Sequence, residues 1–149
     1  MTIWVDADAC PAAVKELLFR AADRRKVRVT LVANQTMRTP KSEFVDAIRV
    51  EGGANVADRA IVERMSAGDL VVTADIPLAA AVVEKGGQAL DPRGELYTEA
   101  NVGDRLASRN LLDQLRGNET ITGGPSQFGA RERQAFANQL DRWLTKNVR

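Results

Sequence analysis

Apolar positions along the chain follow two patterns, short continuous runs and longer stripes of helical period. Thr2-Ile3-Trp4-Val5 and Leu70-Val71-Val72-Thr73-Ala74 read as short buried strands, each followed at once by a helix start. Val27 to Ala33 sets Val27, Val29 and Leu31 against Arg28 and Thr30, which predicts a strand with one exposed side. Ile48-Arg49-Val50, ended by Gly52-Gly53, and Gln88-Ala89-Leu90 predict two further short strands. Between the strands lie helical stripes. Pro11 to Arg25 lines up Val14, Leu17, Leu18, Ala21 and Ala22, and Pro11 suits the first position because an N–H there has no partner anyway. Asn55 to Ser66 places Ala57, Ala60, Ile61 and Met65 on one face. Pro77 opens a third helix through Glu84, stopped by Gly86-Gly87.

Asn34 to Glu43 is polar and carries Pro40, which predicts a loop, followed by a short helix or turn from Phe44 to Ile48. Asp91 to Gly103 reads as a polar loop and Asp104 to Arg116 as a helix with Leu111, Leu112 and Leu115. Gly117 to Gly129 is glycine-rich, and Gly123-Gly124-Pro125 marks a segment long enough for a lid or a substrate contact. A final helix, Ala130 to Asn147, should dock Phe136, Leu140, Trp143 and Leu144 on the core. Strands alternating with helices predict an α/β fold, a three-layer sandwich around a mainly parallel sheet with right-handed crossovers. No repeat or linker divides residues 1–149, so one domain is expected.

Composition narrows the chemistry more than the fold. With 44% hydrophobic and 28% charged residues, the chain is an ordinary globule. Its 21 basic and 20 acidic residues nearly cancel, so any basic groove must come from placement rather than bulk charge. The lone Cys10 excludes an internal disulfide and fits a reducing cytoplasm, with no disulfide-linked partner. No run approaches the roughly 18 apolar residues of a membrane helix. The first strand begins at Thr2, leaving no room for a signal peptide, and a cytoplasmic protein is expected. The chain has no histidine. Zinc of the usual kind and nucleophile–histidine systems are thereby set aside, and acid–base work falls to carboxylates, Lys, Tyr or metal-bound water.

Acids stand where the strands end. Asp6 and Asp8 follow the first strand, Asp75 follows Leu70 to Ala74, and Asp58 lies in the helix from Asn55. In an open α/β sheet such ends line one crevice. Two carboxylates about 4 Å apart repel by roughly 4 kcal/mol at an effective dielectric near 20, so a cluster calls for a hard cation such as Mg²⁺ or Mn²⁺. Each acid also has a plain structural role. Asp8 and Asp75 favour helix entries, and Asp58 follows Asn55 at a capping-box spacing. Asp6 is harder to explain that way, because an acid ending a buried strand needs a partner. Cys10 reads as a small residue at a helix entry, and the Arg24-Arg25-Lys26 and Arg28 cluster as a helix end favoured by the dipole. Arg38 and Lys41 after the second strand, and Arg93 after the fifth, would hold phosphates if their loops open at the acidic edge. Tyr97 would stack on a base.

Several strings carry a resemblance. Val5-Asp6-Ala7-Asp8-Ala9-Cys10-Pro11, Val32-Ala33-Asn34, Val56-Ala57-Asp58 and Thr73-Ala74-Asp75-Ile76-Pro77-Leu78-Ala79 resemble the YaiI/YqxD family of bacterial proteins. Pro92-Arg93-Gly94-Glu95-Leu96-Tyr97, Gly123-Gly124-Pro125 and Phe136-Ala137-Asn138 extend the match over nearly the whole chain. That family is similar to the PIN-domain nucleases, whose acids cluster at the strand ends of a parallel sheet around Mg²⁺ or Mn²⁺. The resemblance implies a PIN-like sheet with additional C-terminal helices, and Asp6, Asp58 and Asp75 in the catalytic positions with Asp8 as an extra metal candidate. Asn34 would join Arg38, Lys41, Arg93 and Tyr97 against the substrate. Asn55 and Asn110 stand where acids are frequent in that pattern, which argues against a second, tightly held metal.

Metal-dependent hydrolysis of phosphodiesters in single-stranded RNA is therefore the leading expectation. The alternative enzyme is a haloacid-dehalogenase-like phosphatase with Asp6 as nucleophile. Against it, Cys10 stands where Thr or Val is usual, and Lys85 lies at the wrong end of its helix. A third reading is a non-catalytic RNA-binding or partner-binding module.

Overall fold

The computed structural model of the chain describes residues 1–53, 55–108 and 128–148. Six strands form one sheet: β1 (Thr2–Asp6), β2 (Arg28–Ala33), β3 (Val45–Arg49), β4 (Leu70–Val72), β5 (Gln88–Leu90) and β6 (Leu96–Tyr97). Their order is β3-β2-β1-β4-β5-β6. The first five run parallel, and β6 closes one edge antiparallel to β5. The helices are α1 (Ala12–Arg25), α2 (Val56–Arg64), α3 (Ile76–Glu84) and α4 (Ala130–Asn147), and residues 102–108 are also helical.

The central strands are apolar on both faces because helices cover both. Ile3 and Val5 of β1 pack with Val14 and Leu18 of α1 and with Phe136, Leu140, Trp143 and Leu144 of α4. Trp4, between them in sequence, turns to the other face and packs with Ile61 of α2 and Leu78 and Val82 of α3. The result is a three-layer α/β sandwich with a mainly parallel, PIN-like sheet, as expected. No helix among the described residues is long and apolar enough to cross a membrane, and Cys10 is unpaired.

The basic cluster fastens helix to helix. Arg25 donates to the carbonyls of Leu144 and Val148 at 3.1 and 2.8 Å, satisfying carbonyls at the end of α4. Arg24 pairs with Asp141 of α4 at 3.1 Å.

Two expectations for local structure need correction. Val45–Arg49 is a strand rather than a helix or turn, in register with β2 from Val29↔Val45 to Ala33↔Arg49. As an edge strand it exposes Asp46 and Ala47, which blurs the alternation a reader would look for. Arg28 and the Thr30 hydroxyl both reach Asp46, at 3.1 and 2.7 Å, and pin the pairing. The expected loop from Asp91 to Gly103 contains β6, a strand too short to show any period. The β5–β6 turn sits hard against α4. Gly94 has φ +98°, and a Cβ there would lie 2.6 Å from the carbonyl carbon of Ala135. The expected helix from Asp104 is helical from 102 to 108, while its remainder, Asn110, and the Gly123-Gly124-Pro125 segment lie outside the described residues.

β1 is the strand at which the order turns, with β2 and β3 built out to one side and β4 and β5 to the other. The carboxyl ends of β1 and β4 therefore flank the switch point, the usual ligand crevice of such sheets.

Candidate functional site

Asp6 ends β1 on the face shared with Trp4, which is the α2–α3 face. Its Oδ2 accepts a 3.0 Å hydrogen bond from the hydroxyl of Thr73, just past β4. The same hydroxyl accepts from the backbone N–H of Asp75 at 3.0 Å. Thr73 is 1% exposed and so fixes the Asp6 carboxylate to the start of α3 from a buried position. Asp75 caps α3, with Oδ1 accepting from the N–H of Leu78 at 3.0 Å. Asp58 lies in the first turn of α2, half-buried.

These carboxylates act on one another. Burial pushes Asp6 above the ordinary carboxylate range; the Thr73 hydrogen bond opposes that shift, and the charges of Asp75 and Asp8 add to it. Burial raises Asp58 to about 6, with Asp75 and then Asp6 contributing. Acids from β1, α2 and the entry of α3 thus share one crevice at the switch point. Among the described residues, however, no three acidic or sulfur side chains stand close enough together to enclose an ion. Asp8 lies at the rim, where its Oδ2 accepts from the N–H of Asn34 at 2.9 Å and joins the ends of β1 and β2.

The other residues expected at the site divide. Asn34 belongs to the crevice rim through that bond to Asp8. Arg38 is exposed, one residue beyond Met37, whose sulfur contacts Lys15 in the first half of α1. Lys41 is displaced toward the opposite edge of the sheet. Its neighbour Ser42 donates to Asp23 in the last turn of α1, and Phe44 O accepts from Val29 at the start of β2. Arg93 faces Glu132 of α4 at 4.0 Å instead of the acids. Tyr97 is 3% exposed and packs with Ala79, Val83 and Ala89, so its ring offers no face for a base to stack on. Both corrections have one cause: the β5–β6 hairpin is folded down onto its neighbours, which buries Tyr97 and turns the exposed Arg93 toward Glu132.

Two residues of the site region escaped the sequence reading. Thr73 sits in an apolar run and looks like an ordinary strand residue; its only signal is its place two residues before Asp75. Asp91, at the end of β5, is raised by burial and lowered by the N–H and charge of Arg93, so it belongs to the hairpin. Cys10 is no nucleophile, since burial first, and the Asp6 charge after it, hold its thiol up at about 12 despite Lys15. Lys85 donates to the carbonyls of Val62 and Glu63, binding the far end of α3 to the far end of α2. It stands at the opposite edge of the sheet from Asp6, where it cannot serve a phosphoaspartyl site.

The chain is similar over nearly its full length to many bacterial proteins. The "UPF0178 protein" of Dechloromonas aromatica is 58% identical over 146 residues, covering 98% of this chain and 97% of the relative. That of Shewanella amazonensis is 59% identical over 146 residues, covering 98% of each. That of Maridesulfovibrio salexigens is 57% identical over 148 residues, covering 99% of this chain and 98% of the relative. A family model described as "Uncharacterized BCR, YaiI/YqxD family" matches residues 4–146. With the VDADACP and TADIPLA strings at its acidic crevice, the chain belongs to the YaiI/YqxD family.

Proposed function

We propose that this protein is a metal-dependent phosphodiesterase acting on single-stranded RNA, with Asp6, Asp58 and Asp75 as its catalytic acids. The observation that supports this reading is electrostatic. Asp6 and Asp58 are both raised by burial and by like charges converging at the switch point of the sheet. Hydrogen bonding and helix capping account for Asp6 and Asp75 one at a time, but not for gathering them with Asp58 without a cation among the ion pairs of the described residues, and clustered raised acids are typical of functional sites.

The donor set is all oxygen in a chain without histidine, which suits Mg²⁺ or Mn²⁺. Since no three acids among the described residues enclose a point, the fit is to a hydrated ion taken by Asp6 and Asp75, with Asp58 and Asp8 as outer groups. Mg²⁺ is commonly held in this way, by one or two carboxylates with retained water. When bound, such an ion lowers the pKa of its water and neutralises the phosphate. The protein's own groups supply the rest. Thr73 fixes one Asp6 oxygen and leaves the other outside that bond. Asp58, raised to about 6, takes up or releases a proton near neutrality, as a general acid or base must. Asn34 and Arg38 lie on the β2 side of the crevice as strand contacts.

The test is cleavage of end-labelled single-stranded RNA by the parent and by Asp6→Asn, with Mn²⁺ and with chelator. We expect fragments only from the parent with Mn²⁺, and a Mn²⁺-dependent rise in melting temperature confined to the parent. Cleavage by a folded Asp6→Asn, or in chelator, would remove the reading.

A further inference from the structure

α2 and α3 both begin at the carboxyl edge of the sheet. Lys85 ties their far ends together. Between them a cavity of about 530 Å³ opens along their length, with Val62, Leu78 and Ala81 in its walls and Asn55, Asp58, Arg59 and Glu63 also lining it. We propose that this cavity seats a nucleobase whose attached phosphate lies at Asp6 and Asp75. The inference rests on the phosphodiesterase reading and names where a base of that substrate goes.

Four observations converge on a nucleobase. The volume lies within the roughly 300–1,000 Å³ of pockets that bury small organic ligands, and aliphatic walls suit the two faces of a flat ring. Asn55 sits in the left-handed region at φ 66°, which asparagine tolerates better than most side chains. Although it occupies the cap position of α2, its side chain caps nothing. Asparagine usually accepts an N–H there; here the amide keeps a donor and an acceptor, the pair that reads an adenine edge. Arg59 belongs to none of the ion pairs found among the described residues, leaving a guanidinium on the cavity lining to lie against the base. Finally, Asp58 lines the cavity and also feels Asp6 and Asp75, so pocket and crevice share a wall.

Adenosine 5′-monophosphate is the probe, titrated in Mg²⁺ against the methyl resonances of Val62, Leu78 and Ala81. Ribose 5-phosphate, which keeps the phosphate and lacks the base, is the control. We expect the nucleotide to shift those methyls and the sugar phosphate to bind at least about tenfold more weakly. Asn55→Gly keeps the left-handed backbone and removes only the amide, and should weaken the nucleotide by about tenfold, the worth of one bidentate pair. Ala81→Phe fills the cavity and should abolish the shifts; if it does not fold, Asn55→Gly decides alone. Equal binding of the two probes, or unchanged affinity in Asn55→Gly, overturns the proposal. RNA cleavage with no nucleotide effect on these methyls refutes the cavity and leaves the enzyme standing. Nucleotide binding weakened by Asn55→Gly, in a chain that neither responds to Mn²⁺ nor cleaves RNA, supports the cavity and refutes the enzyme.

Discussion

The indole N–H of Trp4 donates to Asp69 Oδ2 at 3.0 Å inside the core, across the β1–β4 pair. Asp69, 6% exposed, also accepts from the backbone N–H groups of Thr2 and Ser66, at 3.0 and 2.9 Å. One carboxylate thus gathers three donors and locks the two strands whose other ends carry the acidic crevice. Asp69→Ala leaves all three unpaired, and should destabilise the chain by about 3 kcal/mol, with Asp69→Asn in between because it keeps one oxygen. Urea unfolding followed by tryptophan fluorescence reads this directly. An unchanged midpoint in Asp69→Ala would show that the bonds contribute nothing.

Asp58 gives a stability effect of the opposite sign. Its folded value of about 6 lies above the unfolded 3.8, so the fold favours the protonated acid. That stabilisation is complete below pH 3.8 and is lost as pH rises through about 6. In chelator at pH 7.5, Asp58→Asn should therefore be more stable than the parent, while at pH 4 the two should coincide. Burial contributes most of the shift and the charges of Asp75 and Asp6 the rest; solvent around the half-exposed carboxylate screens much of both, leaving a gain of about 1 kcal/mol, or roughly 3 °C. A variant melting at or below the parent at pH 7.5 would mean that neither burial nor the neighbouring acids disfavour the Asp58 charge.

Tyr97 is the chain's single tyrosine, so phenolate absorbance reports it alone. Burial pushes it up to about 12, helped by Asp91 and Glu95 and opposed by Arg105, with its hydrogen bond to Glu95 adding a smaller rise. A raised value means the neutral phenol stabilises the fold fully below pH 10, and that contribution disappears as pH climbs through about 12. Phenolate should appear together with loss of tertiary circular dichroism. Titration near pH 10 in a chain that stays folded would place the hydroxyl in solvent.

Gly94 has no room for a side chain, since an added Cβ meets the backbone of Ala135 at positive φ. Gly94→Ala should lower stability by about 2–4 kcal/mol. Gly103, in the helical segment 102–108 with nothing within 4 Å of an added Cβ, is the control. Gly103→Ala should stabilise by about 0.5 kcal/mol. Equal melting temperatures for the two variants would contradict the packing of the hairpin on α4.

The layered fold was legible because parallel strands covered on both faces leave unbroken apolar runs, as Leu70 to Val72 does. Asp6 and Asp75 were legible for the same reason, being the first acids at or beyond such runs. Where contacts are distant, local pattern failed. Arg93, Gly94 and Tyr97 read as a polar loop because their partners, Glu132, Ala135 and Ala79, lie far away in sequence. Only the end of β3 was read, as the strand expected at Ile48-Arg49-Val50, and Val45 to Ala47 was missed because an edge strand needs only one covered face. Asp69 carries no local signal, its role depending on an indole 65 positions earlier.

The Thr73–Asp6 bond spans 67 positions, and that separation has a consequence for biosynthesis. A nascent chain halted after β3 already holds Asp6 and Asp8, yet neither the hydroxyl that steadies Asp6 nor the helix that brings Asp75. Assembly of the acidic edge must await insertion of β4 beside β1. An amino-terminal fragment, however well it collapses, should therefore be inert, and any chemistry should switch on only in a late, cooperative step of folding.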